Sequence, residues 1–275
     1  MTNQKQEALE LKLLLEAINT YYGHDFHDYA KASMLRRIRR HMERVGVKQI
    51  SALIPCFLHD KESFNSFVKD MSVVVTEMYR DPEFFLALRN EVIPLLKTYP
   101  FIKIWHAGCA SGQEVYSMAV MLEEEGLLNR CQIYATDFNE SALKMARKGI
   151  YPQDEMSVYE ENYQLAGGKQ QLSNYCRQQY DSIKFKNRLS ERVTFANHNL
   201  VTDGIFGEMN LILCRNVLIY FNQTLQDRVL NLLTDSLIPK GILCIGRREN
   251  LKHSTMNDQV ESLNHSQRIY RKLSR

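Results

Sequence analysis

The residues best placed to do chemistry lie in the segment His106–Glu114, where Gly108, Ala110 and Gly112 are spaced two apart between an apolar run and a helical one. Small residues at that spacing let the backbone turn sharply and approach a ligand closely at a helix N-terminus. The spacing differs from the GxGxxG dinucleotide fingerprint, which disfavours nicotinamide binding. Asp137 closes the next strand-like run, where a carboxylate can accept hydrogen bonds from both hydroxyls of a ribose. Each feature has a plainer reading: a tight turn with no ligand, and Asp137 as N-cap of the helix that follows. Taken together they predict a nucleoside-binding α/β site.

The elements around these residues alternate. A strand over 101–105 leads through the small-residue turn into a helix from Gln113 to about Leu128; a strand over 131–137 follows, then the helical NESALKMARKG. Strand, helix, strand, helix predicts a parallel sheet with right-handed crossovers. Strands are also expected over 192–200 and 209–216, with a helix from Asn222 to about Leu237. Pro239-Lys240-Gly241 then reads as a turn into a strand at 242–246, and SQRIYRKLS as a final edge strand. Upstream, Asp81 reads as N-cap and Pro82 as first turn of a helix carrying EFFLALRNEVIPLLK. The polar, tyrosine-rich stretch 151–190 breaks the alternation and predicts an inserted subdomain.

Residues 7 to 70 read as helices, with continuing helical pattern up to Val75. A first helix ends at Gly23, and a second, KASMLRRIRRHMERV, ends at Gly46. In the second, Met34, Leu35, Ile38, Met42 and Val45 form an apolar stripe; Arg36, Arg37, Arg39, Arg40 and Arg44 are expected on the opposite, solvated face. That stretch to Arg44 holds six basic residues against one acidic one, so an acidic partner is a second reading of it. No aromatic interleaving supports nucleic-acid binding.

The composition, 44% hydrophobic and 24% charged, is that of a globular protein, and a net charge of +3 is too small to imply a nucleic-acid or membrane partner. No apolar run reaches the length of a spanning helix, no secretory signal pattern opens the chain, and a cytoplasmic location is expected. Six cysteines lie scattered without ligand spacing; buried free thiols are expected, with no metal.

Five segments carry a more specific signal: Val75–Phe85 (VTEMYRDPEFF), Ile104–Ser117 (IWHAGCASGQEVYS), Ala135–Tyr151 (ATDFNESALKMARKGIY), His198–Val201 (HNLV) and Leu211–Phe221 (LILCRNVLIYF). In this order they resemble the CheR family of protein-glutamate O-methyltransferases over nearly the whole chain. The resemblance implies a class I S-adenosylmethionine-dependent methyltransferase fold (Rossmann-like, mostly parallel sheet) over residues 76–275, with the insertion at about 151–190. It also implies a small all-helical N-terminal domain over 1–75 that bears the basic helix. The implied cofactor is S-adenosylmethionine, leaving as S-adenosylhomocysteine, with Thr76, Arg80, Gly108, Glu114, Asp137, Asn199, Leu200, Arg215 and Asn216 as its binding residues. Asp137 would take the ribose, Glu114 the amino-acid portion, and Leu200 an adenine face. Arg80 and Tyr220 are the implied catalytic pair, orienting a glutamate carboxylate that is already ionised and needs no general base. The plainer readings are a surface pair of Arg80 with Asp81, a solvated loop arginine at 215, and a Tyr220 packed in the core.

The implied partner is a glutamate-bearing helical region of a chemoreceptor or related signalling protein, engaged by the basic helix 31–45, with the enzyme acting as a monomer and without nucleic acid or membrane insertion. Alternatives are a cofactor-sensing docking module with little catalysis, and a methyltransferase for RNA or a small molecule. The chain departs from the family where a GHSE-like segment reads Gly246-Arg247-Arg248-Glu249, where an asparagine is replaced by Val74, and where a phenylalanine is replaced by Tyr79. The 151–190 stretch follows the family pattern only loosely, so docking of a receptor tail is not expected.

Overall fold

The computed structural model describes residues 2–71, 76–252 and 254–274, so the substituted Val74 and the end of the helical pattern at Val75 lie outside the described residues. Four helices come first: α1 (Thr2–Tyr22), α2 (Lys31–Val45), α3 (Leu53–His59) and α4 (Lys61–Met71). They bury Leu14, Ile18, Ile38, Leu53, Phe57 and Phe67 in a core of their own. Gly46 ends α2 in the left-handed conformation with its N–H on Met42 O, as a C-capping glycine should.

The arginines of α2 do not share one solvated face. Arg37 is buried together with Met34, Ile38 and His41, while Val45, expected on the stripe, is exposed. Arg37 lies three residues from Met34 and four from His41, so helical geometry places it on the packed side. Arg39 pairs with Glu7 at 2.6 Å and Arg44 with Asp70 at 2.6 Å. Arg36 and Arg40 remain exposed.

The rest of the chain builds a seven-stranded sheet from β1 (Ile102–Ala107), β2 (Cys131–Asp137), β6 (Val193–Asn197), β7 (Met209–Cys214), β8 (Leu237–Ile245), β9 (Val260–Asn264) and β10 (Ile269–Lys272). Its order is β6-β2-β1-β7-β8-β10-β9. The first five in that order run parallel, and β10 and β9 are antiparallel additions. β1 and β7 are almost wholly buried, which is why they read as continuous apolar runs. The last strand is not the edge: β10 buries Ile269 and Tyr270 between β8 and the more polar β9, which takes the solvated border. Pro239-Lys240-Gly241 is not a turn before β8 but lies inside it, absorbed by a register shift against β7 and a left-handed Lys240.

Around the sheet lie α5 (Pro82–Ala87), α6 (Ile93–Leu96), α7 (Gln113–Glu124), α8 (Glu140–Lys148) and α11 (Gln223–Asp235). The helix expected over 83–97 is interrupted by a π-turn at Leu88–Val92, just before Pro94, which has no N–H to give to Asn90. α7 stops at Glu124, short of Leu128, because Gly126 turns left-handed. The excursion after α8 holds β3 (Ile150–Pro152), α9 (Met156–Leu165), β4 (Cys176–Gln179), β5 (Ser182–Phe185) and α10 (Asn187–Ser190). Its strands form an antiparallel sheet in the order β3-β5-β4, and Tyr151, Tyr159, Tyr163 and Tyr175 join the main core. Five of the cysteines are buried free thiols and Cys56 is exposed. Among the described residues no helix is long and apolar enough to cross a membrane, and no His/Cys/Asp/Glu group is placed to hold a metal.

The C-terminus of α7 carries three consecutive glutamates, unfavourable against the helix dipole. Cations offset them: Glu125 meets Arg89 at 2.9 Å, Lys97 at 2.8 Å and Lys169 at 2.7 Å, joining the π-turn to the excursion. Burial alone would raise the Glu125 carboxyl, but Lys169, Lys97 and Arg89 hold it at about 2, below its ordinary value of 4.5. A depressed folded value contributes stability that is present above the unfolded value and lost as pH falls through the folded one. Glu125→Gln should therefore lower stability at neutral pH and flatten its decline between 4.5 and about 2. Urea denaturation across that range is the check; an unchanged acid slope would contradict it.

Candidate active site

A cleft of about 1090 Å³, counting its open mouth, lies at the C-terminal ends of β1, β2 and β7. All ten sequence-predicted site residues line it: Thr76, Arg80, Gly108, Glu114, Asp137, Asn199, Leu200, Arg215, Asn216 and Tyr220. The C-terminal edge of an open parallel sheet is where ligands bind, because the strand-to-helix turns there can differ without disturbing the sheet.

The small-residue turn forms one wall. Gly108 and Cys109 give their N–H groups to Thr136 O at 2.8 and 2.9 Å, bending the chain back over β2. Gly108 has φ +81°, and a Cβ there would stand 2.6 Å from Val217 Cγ2, so only glycine suits the position. The Asp137 carboxylate accepts from Ala110 N and Asn139 N, both at 2.9 Å. Burial pushes its carboxyl above the ordinary range, against backbone N–H bonds from Asn139, Ala110 and Phe138 that favour the charge. A carboxylate offers about four lone-pair sites, so these backbone bonds leave it able to accept from a hydroxyl in the cleft as well. The N-cap of α8 is Asn139, whose Oδ1 accepts from Ser141 N at 2.9 Å, so Asp137 is not the cap.

The opposite wall centres on Arg215, which is buried rather than solvated. Its guanidinium reaches Asp81 at 2.6 Å and Glu114 at 3.0 Å and stacks 3.8 Å from the Phe84 ring centroid. Asp81 therefore does not cap α5 with its side chain; its backbone is left-handed and its carboxylate goes to Arg215. The Asp81 carboxylate goes to Arg215 rather than to a surface pair, and Arg80, half-buried, lines the cleft. Glu114 also meets His106 Nδ1 at 3.0 Å. Burial would raise the Glu114 carboxyl, but the His106 hydrogen bond and the Arg215 charge outweigh it and hold it below its ordinary range.

The loop after β7 is fastened from below by Glu249, whose carboxylate accepts from Gly246 N at 2.5 Å, Asn216 N at 3.2 Å and Ile219 N at 3.3 Å. Arg247 and Arg248, between the buried Gly246 and Glu249, stay exposed. Asn199 caps its own turn, with Oδ1 accepting from Val201 N at 3.0 Å, and Leu200 packs at the cleft wall. Tyr79, Asp81, Ala110 and Asn216, in or beside the cleft, all have positive φ without being glycine, a backbone strain that concentrates at functional sites.

Sequence reasoning missed the contribution of the helical domain. Tyr29, Arg37 and Met71 line the cleft together with Phe138. Arg37 lies over the Tyr220 ring, 4.2 Å from its centroid, so Tyr220, partly buried against the core, is also half of an aromatic–cation contact at the cleft. The two parts are stitched beside it: Ala30 N donates to Tyr220 O at 2.9 Å and Asn222 N to Asp28 O at 2.8 Å. The periodicity of α2, which puts Arg37 on the packed side, is the signal that could have found it.

Comparison with known proteins identifies the family. A family model described as CheR methyltransferase, SAM binding domain, matches residues 74–268, and one described as CheR methyltransferase, all-alpha domain, matches residues 9–72. Putative methyltransferase Cher3 of Pseudomonas putida is 47% identical over 272 residues, which is 99% of this chain and 100% of that protein. Chemotaxis protein methyltransferase 1 of Vibrio cholerae is 35% identical over 197 residues, 67% of each chain. Among solved structures, N-methyltransferase NodS from Bradyrhizobium japonicum in complex with S-adenosyl-L-homocysteine aligns with TM-score 0.40 at 12% identity, covering 73% of this chain and 91% of that one.

Arg215→Lys should be costly despite keeping the charge. A lysine cannot span Asp81 and Glu114 in a planar fork, and one carboxylate would be left unpaired. The expected loss is roughly 2–4 kcal/mol in urea unfolding; a loss under about 0.5 kcal/mol, the size of an ordinary surface change, would contradict this role.

Proposed function

The chain belongs to the CheR methyltransferase family and is an S-adenosylmethionine-dependent methyltransferase, and we propose that it methylates glutamate side-chain carboxylates of a chemoreceptor or related signalling protein. The observation that carries this reading is that Arg80 and Tyr220 line the same cleft as Asp137 and Glu114, with Arg37 beside Tyr220. An anionic acceptor is what such a cationic, hydroxyl-bearing rim suits. The chemotaxis role in the name of the Vibrio relative points the same way.

On this reading the residues divide the work. Asp137 accepts from the ribose hydroxyls, Glu114 from the amino group of the amino-acid portion, and Leu200 covers an adenine face. The backbone at Gly108 and Ala110 permits close approach, with Thr76, Asn199, Arg215 and Asn216 completing the cofactor's surroundings. Bound S-adenosylmethionine supplies an electrophilic methyl group on a sulfonium. Arg80 and the Tyr220 hydroxyl hold one acceptor oxygen and leave the other free to attack. A glutamate is ionised at neutral pH, so the cleft has to supply alignment and water exclusion rather than a base. The exposed Arg36 and Arg40 of α2 would meet acidic residues on the acceptor helix, a complementarity that speeds and orients encounter.

The chemistry of the product tests the acceptor. Radiolabel transferred from S-adenosylmethionine to an acidic signalling protein should be released by mild alkali as volatile methanol; label stable to base would refute a glutamate ester. Arg80→Ala should cut transfer by about 100-fold or more while S-adenosylhomocysteine affinity changes far less. Full activity in that variant would remove Arg80 from the clamp.

A further inference from the structure

His106 sits on β1 between Ala135 of β2 and Leu213 of β7, and it is fully buried. Its Nδ1 lies 3.0 Å from Glu114 Oε1, while Nε2 has no hydrogen-bond partner among the described residues. Glu114 Oε2 is taken by Arg215 Nη1 at 3.0 Å. Glu114 is held in its charged form and can only accept, so Nδ1 carries the proton that is donated to it.

An imidazole with one nitrogen satisfied and the other buried bare is a poor choice for packing alone, since an apolar side chain would leave no orphan atom. What histidine alone adds at this position is the bond to Glu114. We propose that His106 is a positioning residue for the amino-acid portion of the cofactor. It fixes the Glu114 carboxylate from one side as Arg215 fixes it from the other, so that the remaining lone pairs face the cleft. Two supports on two oxygens lock the rotation that a glutamate at the mouth of a helix would otherwise keep, and an acceptor already oriented binds an ammonium without losing that freedom on binding. Outer partners that orient a binding carboxylate act in this way at metal sites too. The inference rests on the reading that Glu114 receives the cofactor's amino group.

Two probes separate the roles. S-adenosylhomocysteine carries the amino-acid portion, whereas 5′-methylthioadenosine keeps the nucleoside and lacks it. The ratio of their affinities, measured by calorimetry on the full chain, reports contacts to that portion alone. His106→Leu should weaken S-adenosylhomocysteine by about tenfold and 5′-methylthioadenosine by less than about twofold, the scale of one hydrogen bond to a charged group. His106→Asn, whose amide N–H can stand in for Nδ1–H, should restore most of the ratio, and His106→Gln should not. The Asn and Gln pair keeps the comparison available if the leucine variant does not fold. Equal weakening of both probes, or an unchanged ratio in His106→Leu and His106→Gln, would overturn the proposal and leave His106 a packing residue. Glu114→Gln serves as the control on the underlying reading. If it leaves the ratio unchanged, Glu114 does not hold the amino group; if it collapses the ratio while the His106 variants do not, only the role of His106 fails.

Discussion

The buried guanidinium of Arg215 holds the cleft together. It arrives just past the end of β7 and meets Asp81 and Glu114, at the starts of two helices that the sequence separates widely. A charge so enclosed is stable only when paired, and removing a partner leaves the other stranded. The pairing therefore dictates the local conformation of all three segments. Asp81 gives up helix capping to reach it, and Arg80, between the left-handed Tyr79 and Asp81, lines the cleft. Glu249 does the complementary work under the loop that carries Asn216 and Tyr220.

A second constraint comes from the helical domain. Arg37 is buried on α2 and lies over Tyr220, while Tyr29 packs against Phe221 with ring centroids 5.1 Å apart. The cleft is thus completed by residues from both parts of the chain, and a movement of α2 would change the surroundings of Tyr220. On the proposed reading, the acceptor side chain enters beside a contact that the protein uses to join its two parts. Recognition of the acceptor and assembly of the cleft would then share residues.

Much of this was legible in the sequence because it depends on local chemistry. The apolar runs of β1 and β7, the glycine turn whose Cβ-free backbone Val217 approaches, and the carboxylate ending β2 each follow from spacing and residue type. What was not legible depends on contacts between distant segments. Asp81 looks like a cap until Arg215 competes for it, and Arg37 looks solvated among five arginines until Tyr220 and α4 pack beside it. The same holds for the strand order, since sequence does not say that the polar Val260–Asn264 run takes the edge and β10 the interior. The interruption at Leu88–Val92 could have been anticipated from Pro94, a local cause that the apolar periodicity masked.

Arg215 is thus a structural link that Glu114 and Asp81 require, while Glu114 and Asp137 are left to face the cofactor on the proposed reading. A crystal structure of the chain with S-adenosylhomocysteine tests this most directly. The expected result is ribose hydroxyls on Asp137 and the amino group on Glu114, with Arg215 still bridging Asp81 and Glu114. A structure in which Arg215 has left Asp81 to bind the cofactor's carboxylate, or in which the ribose lies away from Asp137, would contradict it.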